Sequence, residues 1–180
     1  MQVESTSFEG LLIIRPKVFG DERGYFFESW NQDAFREAGI DITFAQDNQS
    51  ASAKNVIRGL HFQVPPMEQG KLVRVIKGAV LDLVVDLRQN QPTYLMHFKM
   101  ILDDQKKEML YIPSGFAHGF KTLEDHTVFF YKCTKGYNSH SERAIRWNDP
   151  ALGIDWEISE PLLSEKDKNA PFLINFSNPF

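Results

Sequence analysis

Short runs of apolar and β-branched residues, separated by polar turn signals, recur about every 8–12 residues along much of the chain. The strongest are Gly70 to Ile76 (GKLVRVI) and Ala79 to Leu87 (AVLDLVVDL). Between them Lys77-Gly78 reads as a tight hairpin turn. Met96 to Leu102 alternates and ends at a polar turn, Met109 to Ile112 is stopped by Pro113, and Thr127 to Thr134 forms a further strand. Leu11 to Ile14, Tyr25 to Glu28 and Val56 to Gln63 add earlier ones. This spacing predicts an antiparallel sandwich, jelly roll or small barrel. Helix signals are few. Asn31 is placed to cap a helix over Gln32 to Ala38 that stops at Gly39, and Ser164-Glu165-Lys166-Asp167 resembles a capping box. Both helices are too short to organise the fold and are expected on its outside. With no repeat and no Gly/Ser- or Pro-rich linker, the pattern predicts one domain over residues 1–180 with a short tail.

Composition narrows the class. The length of 180 residues suits one domain with a substantial core. Apolar residues at 42% and charged residues at 24% argue against disorder. Twenty Lys and Arg against 24 Asp and Glu give a net charge of −4, which argues against nucleic acid as a partner. The single cysteine, Cys133, allows no internal disulfide and no thiolate cluster for zinc. The opening MQVESTSFEG lacks a secretory pattern, and no apolar run approaches the ~18 residues of a membrane span. A soluble, cytoplasmic protein is expected. The 15 Phe reinforce the β reading.

Four segments carry candidate chemistry. RGLHFQ (Arg58 to Gln63) sets a cation and a His into an apolar strand pattern, where strict alternation would put Arg58 and His61 on opposite faces. A bulge at Gly59 would bring both to one side, and bulges recur near active sites. A His at a strand end satisfied by backbone carbonyls is the plainer alternative. In YIPSGFAHGF, Pro113-x-Gly115-x-x-His118 resembles the second cupin motif. The first-motif region reads His61-Phe62-Gln63 and lacks the His-x-His pair of a metal-binding cupin, so a metal-dependent oxygenase or isomerase is disfavoured. In YKCTKGY, Tyr131 is either a core aromatic or a site phenol, and Tyr137 is an aromatic expected in a loop, suited to stacking. Asp167 is a first-turn carboxylate that the helix dipole alone would favour. Lys71, Arg74, Asp82 and Arg88 punctuate the central hairpin, where outward-facing charges are ordinary; Lys71 could equally snorkel to water.

The ordered series DERGYFFE, QDNQSAS, VIRGLHFQ, QGKLVRVIKGAVLDLVVDLR, YIPSGFAHGF, FYKCTKGY, RWNDPALGIDW and LSEKD resembles the dTDP-4-dehydrorhamnose 3,5-epimerase family. It covers roughly residues 5 to 170. The resemblance implies an all-β, cupin-type jelly roll with a few short peripheral helices. It implies a homodimer that works without metal or organic cofactor; from charge and hydropathy, neither nucleic acid nor membrane is expected as a partner. The implied substrate is a thymidine-diphospho-4-keto-6-deoxyglucose, inverted at sugar carbons 3 and 5 in dTDP-L-rhamnose synthesis. His61 resembles the general base, Asp167 the carboxylate that orients it, and Tyr131 the acid on the opposite sugar face. Lys71 and His118 resemble groups that contact the sugar or enolate. Arg23, Glu28, Gln46, Asp47, Asn48, Arg58, Glu142 and Lys166 resemble the substrate-binding set, and Tyr137 the aromatic that stacks on thymine.

These residue types suit the chemistry on independent grounds. A proton alpha to a ketone needs a base that works near neutral pH and a stabiliser for the enolate oxygen. Inversion needs a second group to return the proton from the other face. Two segments depart from the family expectation: DNQS carries Gln49 where His is expected, and Gln91 to His97 replaces an expected Ser-Pro-Thr with a Tyr-Gly or Phe-Gly pair. The second could reshape the pocket wall or a dimer contact. Two alternatives stand beside the main reading: an epimerase acting at carbon 3 or carbon 5 alone, and a non-catalytic sugar-nucleotide-binding jelly roll. The second predicts loss of the base or acid, yet His61 and Tyr131 are both present.

Overall fold

The structure, a computed structural model, describes residues 1–180. Its strands are β1 (Gln2–Ser5), β2 (Leu12–Arg15), β3 (Phe19–Asp21), β4 (Gly24–Phe26), β5 (Gln46–Ser52), β6 (Ile57–Gln63), β7 (Lys71–Lys77), β8 (Ala79–Asp86), β9 (His97–Asp103), β10 (Met109–Ile112), β11 (Phe116–Thr122), β12 (Thr127–Cys133) and β13 (Glu142–Ala144). Helices α1 (Gln32–Glu37) and α2 (Glu165–Lys168) are both short. A six-stranded sheet runs β1-β2-β10-β7-β12-β5 and a five-stranded sheet runs β13-β6-β11-β8-β9. All pairings within and between these strands are antiparallel, and β3 with β4 forms a separate ribbon. The fold is the expected jelly roll. No helix is long and apolar enough to cross a membrane.

The main core lies between the sheets. Ile13, Val73, Val75, Leu110, Ile112 and Phe129 of one meet Val80, Val84, Leu102, Phe116 and Phe120 of the other, and Phe129 stacks on Phe120 at 4.2 Å. A second cluster covers the outer face of the five-stranded sheet. Ile57, Leu60, Leu83, Val85 and Leu87 pack there against Ile145, Leu152 and Trp156 and, further on, Leu173, Phe176 and Phe180. This explains the unbroken apolar character of β8. It is flanked by strands on both sides and buried on both faces along its whole length.

The same fact corrects the expected hairpin at Lys77-Gly78. β7 and β8 do not pair: β7 lies between β10 and β12, and β8 between β11 and β9. The turn carries the chain from one sheet to the other, so the two strands oppose inner faces across the core. Gly78 has φ +82°, and a Cβ there would sit 2.6 Å from Thr127 Oγ1. Its N–H is held by Asp104 Oδ2 at 2.7 Å.

Helix α1 begins where expected, with Asn31 Oδ1 accepting from the N–H groups of Asp33 and Ala34. Its buried Phe35 packs with Ile14, Ile40, Leu72 and Met109 on the outer face of the six-stranded sheet. Strand β5 was not expected. Its sequence, QDNQSAS, has no apolar face because it is an edge strand whose half-buried face is lined with polar groups.

Fully buried Leu110 and half-exposed Ile101 test this layering. Leu110→Ala should cost about 2–5 kcal/mol in equilibrium urea unfolding. Ile101→Ala should cost less than about 0.5 kcal/mol. Equal losses would contradict the placement of the core.

Candidate active site

Beyond the Phe129 layer the two sheets enclose a cavity of about 610 Å³. This lies within the roughly 300–1,000 Å³ usual for small-ligand sites. Its walls are polar because the inward faces of several strands change character along their length. On β7, Val75 and Val73 are core and Lys71 faces the cavity; on β12, Phe129 is core and Tyr131 and Cys133 line it. Strand β5 contributes Gln46, Asn48 and Ser50, β6 contributes Arg58, His61 and Gln63, and β11 contributes His118.

Arg58 and His61 share this face because β6 carries one extra residue opposite β11. His61 is opposite His118 and Arg58 is opposite Phe120, so three steps on one strand match two on the other. The bulge falls at Gly59, as the sequence suggested. Gly59 has φ +132°, and a Cβ there would lie 2.5 Å from Gly119 Cα. No side chain fits at that crossing.

His61 Nε2 lies 2.6 Å from Asp167 Oδ1, bridging 106 positions of sequence. Asp167 is 3% exposed and sits in α2, where Ser164 both caps the helix and binds the carboxylate. Ser164 Oγ accepts from Asp167 N–H at 3.1 Å and donates to Asp167 Oδ2 at 2.8 Å. Burial pushes the Asp167 carboxyl up, but the His61 and Ser164 hydrogen bonds outweigh it and hold it below its ordinary range. This short helix lies outside the sheets, as expected, and still delivers a carboxylate to His61.

Lys71 and His118 lie deeper. Lys71 is almost fully buried, with Nζ 3.4 Å from the His61 carbonyl oxygen. Burial pushes its ammonium below the ordinary range, and nearby Cys133, Asp82 and Glu142 offset part of this. It does not snorkel to water. His118 Nε2 is 2.9 Å from Asp82 Oδ2. Burial favours the neutral imidazole more strongly than Asp82 favours the charged one. Asp82, read from the sequence as an outward charge, is fully buried. A lone Asp inside the apolar run AVLDLVVD was the signal for an interior role. Burial also raises the Tyr131 phenol, keeping its proton in place.

At the mouth, Tyr137 is exposed on its loop as expected. Its hydroxyl donates to Glu142 at 3.0 Å, and Glu142 also pairs with Lys166. Burial raises the Glu142 carboxyl, but Lys166 and Tyr137 more than compensate. Gln46 Oε1 accepts the Tyr137 N–H at 2.7 Å. Gln63, overlooked in the sequence, ties this loop down by binding the Gly136 carbonyl and the Asn138 N–H. Its only signal was a polar side chain at an inward strand position.

Thus His61, Tyr131, Asp167, Lys71, Gln46, Asn48, Arg58, His118, Tyr137, Glu142 and Lys166 converge on one cavity. Three expected residues do not line it. Asp47 points to the opposite face of β5 and pairs with Lys132 at 2.7 Å. Arg23 is on the β3–β4 ribbon, paired with Asp21, and Glu28 accepts from Asn31 Nδ2 at 2.9 Å. Of the two unusual segments, Gln49 borders the cavity, whereas residues 91–97 contribute nothing to it. Of the two effects expected of this segment, on the pocket wall or on a dimer contact, the first is corrected. No three His, Cys, Asp or Glu side chains gather as a metal-ligand set.

With this geometry in view, the comparisons with known proteins are decisive. The family model for dTDP-4-dehydrorhamnose 3,5-epimerase matches residues 5–175. The chain belongs to that family. It is similar to the dTDP-4-dehydrorhamnose 3,5-epimerase of Salmonella typhimurium, at 51% identity over 96% of each chain. Its fold is similar to the crystal structure of the same enzyme from Elizabethkingia anophelis, with TM-score 0.91, 45% identity and 97% of each chain covered. It is also similar to the dTDP-6-deoxy-D-glucose-3,5-epimerase of Legionella pneumophila in complex with dTDP-4-keto-L-rhamnose. There the TM-score is 0.93 and the identity 44%, covering 98% of this chain and 94% of that one.

The Asp167 environment fixes a pH response. Its folded-state carboxyl lies below the ordinary value of 3.8, so its contribution to stability is complete above that value. It is lost as pH falls from there through the lower folded-state value. Thermal unfolding of the protein and of Asp167→Asn should therefore differ most near neutrality and converge in acid below that value. A gap that widens with acid would contradict the pairing.

Proposed function

We propose that this cavity inverts carbons 3 and 5 of dTDP-4-keto-6-deoxy-D-glucose to give dTDP-4-keto-L-rhamnose, through an enolate. The observation that carries the reading is the placement of His61, paired with Asp167, on one sheet and Tyr131 on the other, around one cavity. With Asp167 ionised, the His61 nitrogen bonded to it carries the proton, and the other nitrogen has a lone pair free to take one from carbon. Lys71 and His118 stabilise the negative charge that develops on the ketone oxygen. A low-dielectric wall strengthens that interaction. Tyr131 returns a proton to the opposite face. The imidazolium and the phenolate then reset through solvent, so each inversion moves one proton off carbon and one on, with no change of oxidation state. Arg58 binds the diphosphate, for which a guanidinium fork is suited, and Tyr137 stacks on the base. Gln46, Asn48, Glu142 and Lys166 contact the nucleotide around them. The reading requires no cofactor and takes the enzyme to be cytoplasmic.

We also infer a homodimer joined through the β3–β4 ribbon. The ribbon pairs with no other strand, and Phe19, Tyr25 and Phe26 are each more than half exposed on it. Arg23 and Glu28, in and just beyond this ribbon, join the substrate set in that assembly. Phe26→Asp should shift the protein to monomer in sedimentation velocity and lower activity while leaving thermal unfolding cooperative. A fully active monomer would remove the ribbon from the function.

The primary test is proton NMR of dTDP-4-keto-6-deoxy-D-glucose with the enzyme in deuterium oxide. Signals at carbons 3 and 5 should both disappear, and reduction of the products should show inversion at both. His61→Ala should slow exchange by about 10²–10⁴-fold. Tyr131→Phe should let exchange outlast inversion. Exchange at one carbon would mean a single-site epimerase, and none at either would mean another sugar nucleotide as substrate or a binding protein.

A further inference from the structure

The His61–Asp167 pair joins two elements that are remote in sequence, and its 2.6 Å separation has to be held by something other than α2. That helix has four residues and cannot fix its own orientation. On its N-terminal side the chain is anchored to the start of β6: Ile57 N–H donates to Leu162 O at 3.0 Å and Leu162 N–H to Asn55 O at 2.8 Å. On its C-terminal side the anchor is Arg146.

We propose that Arg146 is a positioning residue that sets the His61–Asp167 geometry. Resting on the base assignment above, this role follows from what Arg146 is attached to at each end. Its backbone continues the segment that flanks His61. Ala144 is opposite His61, and Ile145 exchanges both backbone hydrogen bonds with Leu60, at 3.0 and 3.1 Å. Its side chain reaches the other partner's support. Nε donates to the carbonyl of Ala170 at 2.9 Å, three positions beyond Asp167, and its own N–H donates to Pro171 O at 2.9 Å. The guanidinium carbon lies 4.4 Å from the Phe172 ring centroid. Ala170 is buried, and its carbonyl receives a charged donor in a part-buried hydrogen bond. Asp149 adds a second tie by accepting from Leu173 N–H. Arg146 therefore binds the carboxylate loop itself and is tied to the base strand through Ile145, without entering the cavity. Misplacing a reacting group by about 1 Å can cost around 10²-fold in rate.

The test compares Arg146→Ala, Arg146→Lys and Asp167→Asn with the unaltered protein. It reads kcat and KM for the exchange reaction, dTDP affinity by calorimetry, and the downfield proton resonance of the His61 ring N–H. Loss of that resonance in Asp167→Asn assigns it. Arg146→Ala should lose about 10- to 100-fold in kcat and lose or broaden the resonance, with KM and dTDP affinity changed less than about threefold. Arg146→Lys, which keeps a charged donor, should restore the resonance and most of kcat. Unchanged kcat and resonance in Arg146→Ala overturn the proposal. So does a parallel loss of kcat and dTDP affinity, which would mean general damage to the cavity. Should Arg146→Ala not fold, Arg146→Met keeps the aliphatic stem without the donor and gives the same readings; failure of both to fold would make Arg146 a stability residue only. Undiminished kcat in Asp167→Asn would instead sink the base assignment. A slow Asp167→Asn beside an unimpaired Arg146→Ala sinks this inference alone.

Discussion

The inner faces of two packed sheets must either exclude water with apolar side chains or open around something polar. This protein does both along the same strands, and the rest of its structure follows from that division. At one end the stacked Phe120 and Phe129 close the sandwich. Beyond them Lys71, Tyr131, His118 and His61 turn the same inner faces into a cavity. The apolar layer supplies the rigidity, since strands held by a close-packed core carry side chains with little freedom to drift. It also supplies the low dielectric. The lowered Lys71 and His118 and the raised Tyr131 are all consequences of burial near that layer.

A charged group in such a setting persists only if something nearby compensates it. Asp167 has His61 and Ser164, and Asp86 has Arg88 and Thr93. Under the proposed function, activity and stability thus draw on the same contacts. The hydrogen bond that keeps Asp167 ionised inside the protein is also the one that orients His61. Outside the cavity, the long C-terminal segment has a comparable double use. It covers the outer face of the five-stranded sheet with Leu173, Phe176 and Phe180, and it carries the loop that presents Asp167.

Legibility in the sequence varied by element for physical reasons. Strands with apolar inner faces, such as β7, β9 and β12, were readable because burial demands apolar residues at regular spacing. Strand β5 was not, because one face borders a wet cavity and the other faces outward. The capped starts of α1 and α2 were readable because Asn31 and Ser164 bind groups only two or three positions away. The bulge at Gly59 was legible as a possibility, since a Gly between Arg58 and His61 permits it. The role of Asp82 and the tie made by Gln63 were hidden, because a polar residue on a strand looks the same whether it faces solvent or a buried partner.

By itself the sequence determined the all-β class, most strand positions, the helix caps and, through an ordered series of motifs, the family and a set of candidate residues most of which line one cavity. These depend on local periodicity, local hydrogen bonds and residue identity. Tertiary structure alone decided that β7 and β8 oppose each other across the core, that Asp47 faces away from Asn48's cavity, and that Arg146 reaches Ala170. Each depends on which distant strands become neighbours. That choice is made by the burial of whole faces at once, and no local stretch of sequence contains it.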